Sequence, residues 1–143
     1  MEHYEKLLIM EYRMGLATIC TVVIVLISVI IILLVGNRKI KHRGEKIATN
    51  ITGFVLIISV LFLGLQTASI VKKMKIDIDN KCYIMYTGNY IVKHEGKNTD
   101  YCYINEDGNS IRLQCLPAVN VGEYVGYVLY SKNSLYALEI IAE

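Results

Sequence analysis

The sequence predicts an α+β membrane protein, a two-helix transmembrane hairpin followed by a small all-β domain of five to six strands. Three observations predict it. No charged residue lies between Arg13 and Arg38, none lies from Ile47 to Val71, and at Lys72 the apolar runs give way to period-two patches rich in tyrosine and turn residues. With 143 residues, 54% of them hydrophobic, and one proline, the chain has room for one small domain beside the apolar segments and for no second large one.

Residues 1–14 read as an N-terminal interfacial segment, in which Tyr4 and Tyr12 with Leu7, Leu8 and Ile9 extend the first helix along the membrane surface. A cleaved leader would begin with a basic stretch. Here Glu2, Glu5 and Glu11 stand against Lys6 and Arg13, so the first apolar segment is expected to stay in the protein. Taken as helix, residues 15–35 run 21 residues, or about 32 Å, against a hydrocarbon thickness of about 30 Å. Their β-branched residues disfavour helix in water. In lipid every backbone N–H and C=O must bond internally, which a single segment achieves only as a helix, so propensity gives way. Residues 51–71 are the second span by the same measure.

The connecting loop, residues 36–50, carries Arg38, Lys39, Lys41, Arg43 and Lys46 with one acid, Glu45. These five set the topology. Basic loops stay in the cytoplasm, which places both chain ends and the β-domain on the outer face of the cell membrane. Lys72, Lys73 and Lys75 directly after the second span oppose this and are read as snorkelling to the interface. The loop basic residues also meet lipid headgroups. With a net charge of +2 the chain lacks the basic stripe of a nucleic-acid binder.

Residues 72–143 contain six strand-like stretches, 82–86, 90–93, 101–105, 111–115, 124–130 and 135–141, parted by turn residues such as Thr87-Gly88-Asn89. A small barrel of the SH3 or oligonucleotide/oligosaccharide-binding type and a two-layer meander both accommodate them. If Gly108-Asn109 forms a two-residue turn, Cys102 falls directly opposite Cys115 in a non-hydrogen-bonded pair, close enough for a disulfide; Asp107-Gly108 as the turn makes that pair diagonal.

Catalytic and cofactor signatures are missing. The C-terminal region has one histidine, His94, in a polar loop, and no Cys-x-x-Cys, so neither a zinc site nor a cysteine–histidine couple is expected, and no cofactor. Phosphate loops, nucleophile elbows and His-Glu-x-x-His do not occur. Tyrosine is the compositional excess, eleven in all with no tryptophan. Alternation in β-structure puts Tyr101 and Tyr103 on the face opposite Cys102 and Ile104, and Tyr101, Tyr103, Tyr124, Tyr127 and Tyr130 form the expected partner-binding surface. Within the spans, Ala17-x-x-x-Thr21 and Gly64-x-x-x-Ala68 place small residues one turn apart for close helix packing. The spans hold no ionisable residue, which argues against a proton- or ion-coupled transporter.

The run from the Asp107-Gly108 hairpin through Gly122-Glu123-Tyr124-Val125-Gly126-Tyr127-Val128-Leu129-Tyr130 and Ser131-Lys132-Asn133-Ser134 to a closing apolar strand resembles the tail domain of small two-helix bacterial membrane proteins. That resemblance covers about half the chain and implies no activity. The expected function is non-catalytic: an extracytoplasmic β-domain that binds a protein partner, as an accessory subunit of a membrane complex or an immunity-type protector. A homo-oligomeric assembly, such as a holin-like pore or small channel, is the alternative.

Overall fold

The computed structural model describes residues 3–40, 42–95, 99–106 and 108–142. Each charge-free interval lies inside a helix longer than itself: α1, His3–Lys39, and α2, Arg43–Asn80. At about 1.5 Å per residue these run about 55 and 57 Å, and both are long and apolar enough to cross a membrane. Lys41 and the side chains of Arg38 and Lys39, three of the five loop residues expected to set topology, lie outside the described residues; Arg43 and Lys46 stand exposed at the start of α2. The chain divides into two units, Arg13–Val71 and the combination of Met1–Tyr12 with Lys72–Glu143.

Glycines set the helix contacts in the unit Arg13–Val71. Gly15 meets Val71, Gly64 meets Val22 and Gly53 lies under Leu33, so a methyl group on any of the three would press into its partner. The α1 members are spaced seven and then eleven residues apart, and α2 repeats the spacing in reverse. Seven residues fall slightly short of two helical turns and eleven fall slightly past three, so neither supercoil sense accumulates. Of the small residues picked out by sequence, Gly64 is at the contact. Ala17, Thr21 and Ala68 are exposed, and the Thr21 hydroxyl donates to the Ala17 carbonyl of its own helix at 3.0 Å. Large apolar side chains point outward around both helices, from Ile24, Ile32 and Leu34 to Phe54, Phe62 and Leu65.

In the other unit five strands follow: β1 (Tyr83–His94), β2 (Asp100–Glu106), β3 (Asn109–Cys115), β4 (Gly122–Ser131) and β5 (Tyr136–Ala142). They close a barrel in the order β1-β2-β3-β5-β4, antiparallel except for a short parallel pairing of β3 with β5 through Gln114 and Cys115. This is the strand order of the oligonucleotide/oligosaccharide-binding barrel. The first two expected strands are one. Thr87-Gly88-Asn89 is a glycine bend inside β1 rather than a turn, because Gly88 pairs with Gly126 of β4 across the sheet. Gly126, at φ +156, cannot carry a side chain: a Cβ there would run into the Ile141 carbonyl of β5.

Two cores result. Inside the barrel lie Tyr90, Val92, Cys102, Ile104, Leu113, Val128, Tyr130 and Ala137. Outside it, Leu8 of α1 and Met74 of α2 pack on Tyr136 and Leu138 of β5, ringed by Tyr4, Tyr12, Ile78, Tyr83 and Leu116. Of the apolar residues expected at a membrane interface, Tyr4, Leu8 and Tyr12 belong to this core, with Leu8 fully buried. Tyr4, Leu8 and Tyr12 recur every four residues, one stripe of a helix, and meet a second stripe at Met74 and Ile78.

α2 ends at Lys81, which takes the left-handed conformation (φ 50°) so that the Cys82 N–H reaches back to the Asp77 carbonyl at 3.0 Å. Asp77 itself is fully buried. Its carboxylate accepts from the Asn133 N–H (3.0 Å) and Nδ2 (2.6 Å) and from the Ser134 N–H (2.8 Å) and hydroxyl (2.6 Å), fastening the end of α2 to the β4–β5 turn. That turn closes with Leu135 at φ 59°, a costly conformation for a bulky residue, which these bonds hold in place.

Candidate functional site

Alternation along β2 turns Cys102 and Ile104 into the barrel and Tyr101 and Tyr103 out of it, as the sequence pattern predicts. Neighbouring strands complete the outer face. Lys93 of β1 stands across from Tyr101, which faces Gln114 of β3; Tyr103 faces Arg112. The Arg112 guanidinium lies 3.7 Å above the Tyr101 ring, and its Nη2 donates to Glu95 Oε2 at 2.6 Å. Glu95 accepts through its other oxygen from the Tyr103 hydroxyl, and the Lys93 ammonium sits 5.6 Å from the centre of the Tyr103 ring. The Glu95 N–H, bonded to the Thr99 carbonyl at 2.9 Å, holds this residue at the mouth of the β1–β2 loop. Next to it His94 Nδ1 and Asp100 Oδ1 lie 2.7 Å apart across the strand pair.

One carboxylate thus organises two rings and one guanidinium into a fixed surface. The bond to Glu95 raises the Tyr103 pKa above the ordinary phenol value, because ionisation would put two negative oxygens together. Arginine stacked on tyrosine is rigid, flat and amphipathic, the residue pair that protein interfaces favour. Sequence reasoning reached the two tyrosines by strand parity. Arg112 and Glu95 carry no such signal, since their roles depend on strand pairing and on a loop closure.

The other expected tyrosines divide. Tyr127 lies on the outer side of β4, opposite Thr87 and Ile141 in the adjoining strands. Tyr130 points into the barrel, is 2% exposed, and donates to Glu106 Oε2 at 2.8 Å; burial, then Glu106, pushes its phenol up to about 12. Tyr124 stacks on buried Tyr90 with ring centres 5.6 Å apart and donates to the Asn120 carbonyl at 3.1 Å. Parity explains the split: Tyr124 and Tyr130 share the inward face of β4, and Tyr127 the outward one.

The β2–β3 register corrects the face-to-face cysteine pairing. Glu106 pairs with Asn109, so the two-residue connection is 107–108, and Cys102 faces Leu113. The alternative register is the one adopted, although Asp107 itself lies outside the described residues. Cys102 and Cys115 are diagonal and both thiols are free. Burial pushes Cys102 up to about 12 and Cys115 up to about 11, which leaves both unreactive near neutral pH. Among the described residues no three His, Cys, Asp or Glu side chains gather as a metal site. Compared with protein-family models, curated proteins and solved structures, the chain matches none.

Proposed function

We propose that this chain is a membrane-anchored, non-catalytic binding protein of the cell envelope. Its hairpin spans the bilayer twice, the basic loop stays in the cytoplasm, and the barrel outside takes a protein partner on the Tyr101–Tyr103–Arg112 face. Two observations support the anchor: the apolar side chains that surround the hairpin, and the core that Leu8 shares with Met74, Tyr136 and Leu138, an arrangement that suits two crossings.

The single observation that carries the binding function is the Arg112 guanidinium on the Tyr101 ring, locked by Glu95 on an open face of the barrel. By fold-level analogy, barrels of this topology use the face of strands 2 and 3 for ligands, and the residues here fit a protein surface. Little side-chain entropy remains to be lost on binding, since the rings and guanidinium are already held.

Co-purification from detergent with mass spectrometry tests it. A stoichiometric foreign protein retained by the native chain and lost in Tyr101→Ala and Arg112→Ala is the expected result. A large homo-oligomer that conducts ions in a planar bilayer would instead establish the pore. Alkaline phosphatase fused after Glu143 should be active, and an inactive fusion would overturn the orientation.

A further inference from the structure

The two-residue connection between β2 and β3 makes Glu106 and Asn109 the closing hydrogen-bonded pair of that hairpin, so Asn109, Ile111 and Leu113 aim their N–H and C=O groups at β2. Ser110, Arg112 and Gln114 aim theirs the other way. The far end of β3 follows the same parity, because the Gln114 N–H reaches the Leu135 carbonyl and the Leu116 N–H the Ala137 carbonyl, each at 3.0 Å.

This second edge is covered only where β5 begins. The β3–β5 pairing takes in Gln114 and Cys115, and among the described residues no strand pairs with Ser110 or Arg112 on that side and no other backbone group bonds to them there. Two N–H and two C=O groups are left in a row, with Ser110 and Arg112 about 7 Å apart along the strand. Exposure changes at the same boundary: Asn109, Ser110 and Arg112 are exposed, and Leu113 is buried. The closed barrel thus keeps one open length of edge, the feature that a further strand extends. Its two faces differ. On the inner side Ile111 packs on the barrel core and is only partly buried, and on the outer side the Arg112 guanidinium engages one carboxylate, Glu95, through Nη2 alone.

We propose that the Ser110–Arg112 edge of β3 takes an extended segment of the partner protein as an added strand, apolar on the side beside Ile111 and acidic on the side beside Arg112. The assignment rests on the reading of the Tyr101–Tyr103–Arg112 face as the binding surface, which the added strand continues. Backbone complementarity selects the occupant. Donors and acceptors repeated at strand spacing match an extended peptide, whose main chain supplies affinity and whose alternate side chains supply specificity. A second copy pairing β3 with β3 would bring two Arg112 guanidiniums to one seam, whereas a foreign segment can offer that position a carboxylate.

A capped heptapeptide alternating glutamate and valine is the probe, read by amide NMR and hydrogen exchange of the full-length protein in detergent. Without peptide, the Ser110 and Arg112 amides should exchange faster than those of Ile111 and Leu113. At ten times its dissociation constant the peptide should slow both about tenfold. Lysine in place of the glutamates should weaken binding about fivefold, and methylation of every peptide nitrogen should abolish it. Ser110→Pro removes an N–H that the β2–β3 ladder does not use, so it should abolish peptide binding and leave the ladder amides protected. Slow exchange at Ser110 and Arg112 without peptide, no binding, equal binding of the methylated peptide, or protection confined to other amides would overturn the proposal. The co-purified partner separates the two failures. A partner lost in Tyr101→Ala but kept in Ser110→Pro refutes the edge alone, and a partner kept in both refutes the face and the edge with it.

Discussion

Asp77 is a carboxylate at the C-terminal end of a helix, where the helix dipole opposes it, and it is fully buried there. Donors from Asn133 and Ser134 compensate for both. Asp77→Ala should therefore cost about 3 kcal/mol, the scale of removing one partner from a buried charged network, while exposed Asp79→Ala should stay within about 0.5 kcal/mol. Chemical denaturation in detergent followed by tyrosine fluorescence would measure the difference. Glu11 shows the opposite balance, since burial raises its pKa above the ordinary 4.5. The folded state then holds this proton more tightly than the unfolded one, and the associated stability is present below pH 4.5 and lost as pH rises through the folded value. Glu11→Gln should raise the melting temperature at pH 7, and the gain should close by pH 4. A gap independent of pH would assign the effect to packing instead.

At the scale of the element, glycine is the interlocking device of the hairpin. Leucine in place of Gly53 or Gly15 must displace Leu33 or Val71, so both variants should lose more thermal stability in detergent than Gly64→Leu, whose neighbour Val22 is 3.0 Å from the added carbon. Leu61→Ala, on the exposed surface, should lose least. The two long apolar helices were legible in sequence because length and the lack of charge are properties of one segment. Which face of each span meets the other was not, because small residues one turn apart occur on every side, and Ala17, Thr21 and Ala68 fall outside the contact. The strands show the same boundary. Parity placed Tyr101 and Tyr103 outward, but register depends on which two residues form a turn, and moving the turn by one residue shifted the pairing by two, which took Cys115 from opposite Cys102 to its diagonal. Asp77 had no local signature at all, since its partners lie more than fifty residues away.

For the whole molecule, the second core joins α1 and α2 to the last strand of the barrel. Leu8→Ala should lower the stability of the β-domain by about 3 kcal/mol, as expected for a fully buried leucine. An interfacial role for Leu8 would leave the tyrosine-monitored transition of the barrel unmoved. The same contact orders events in time. Leu8 is synthesised 130 residues before Leu138, so the stripe of Tyr4, Leu8 and Tyr12 has only Met74, Ile78 and Tyr83 to pack on until β5 exists. Loop-closure entropy grows slowly with separation, which leaves the equilibrium little affected, but contacts so distant in sequence form late. The expected sequence is barrel closure followed by docking of helix segments made long before. Through most of biogenesis those early-made aromatic and aliphatic side chains stay available to chaperones, to the membrane surface and to neighbouring copies.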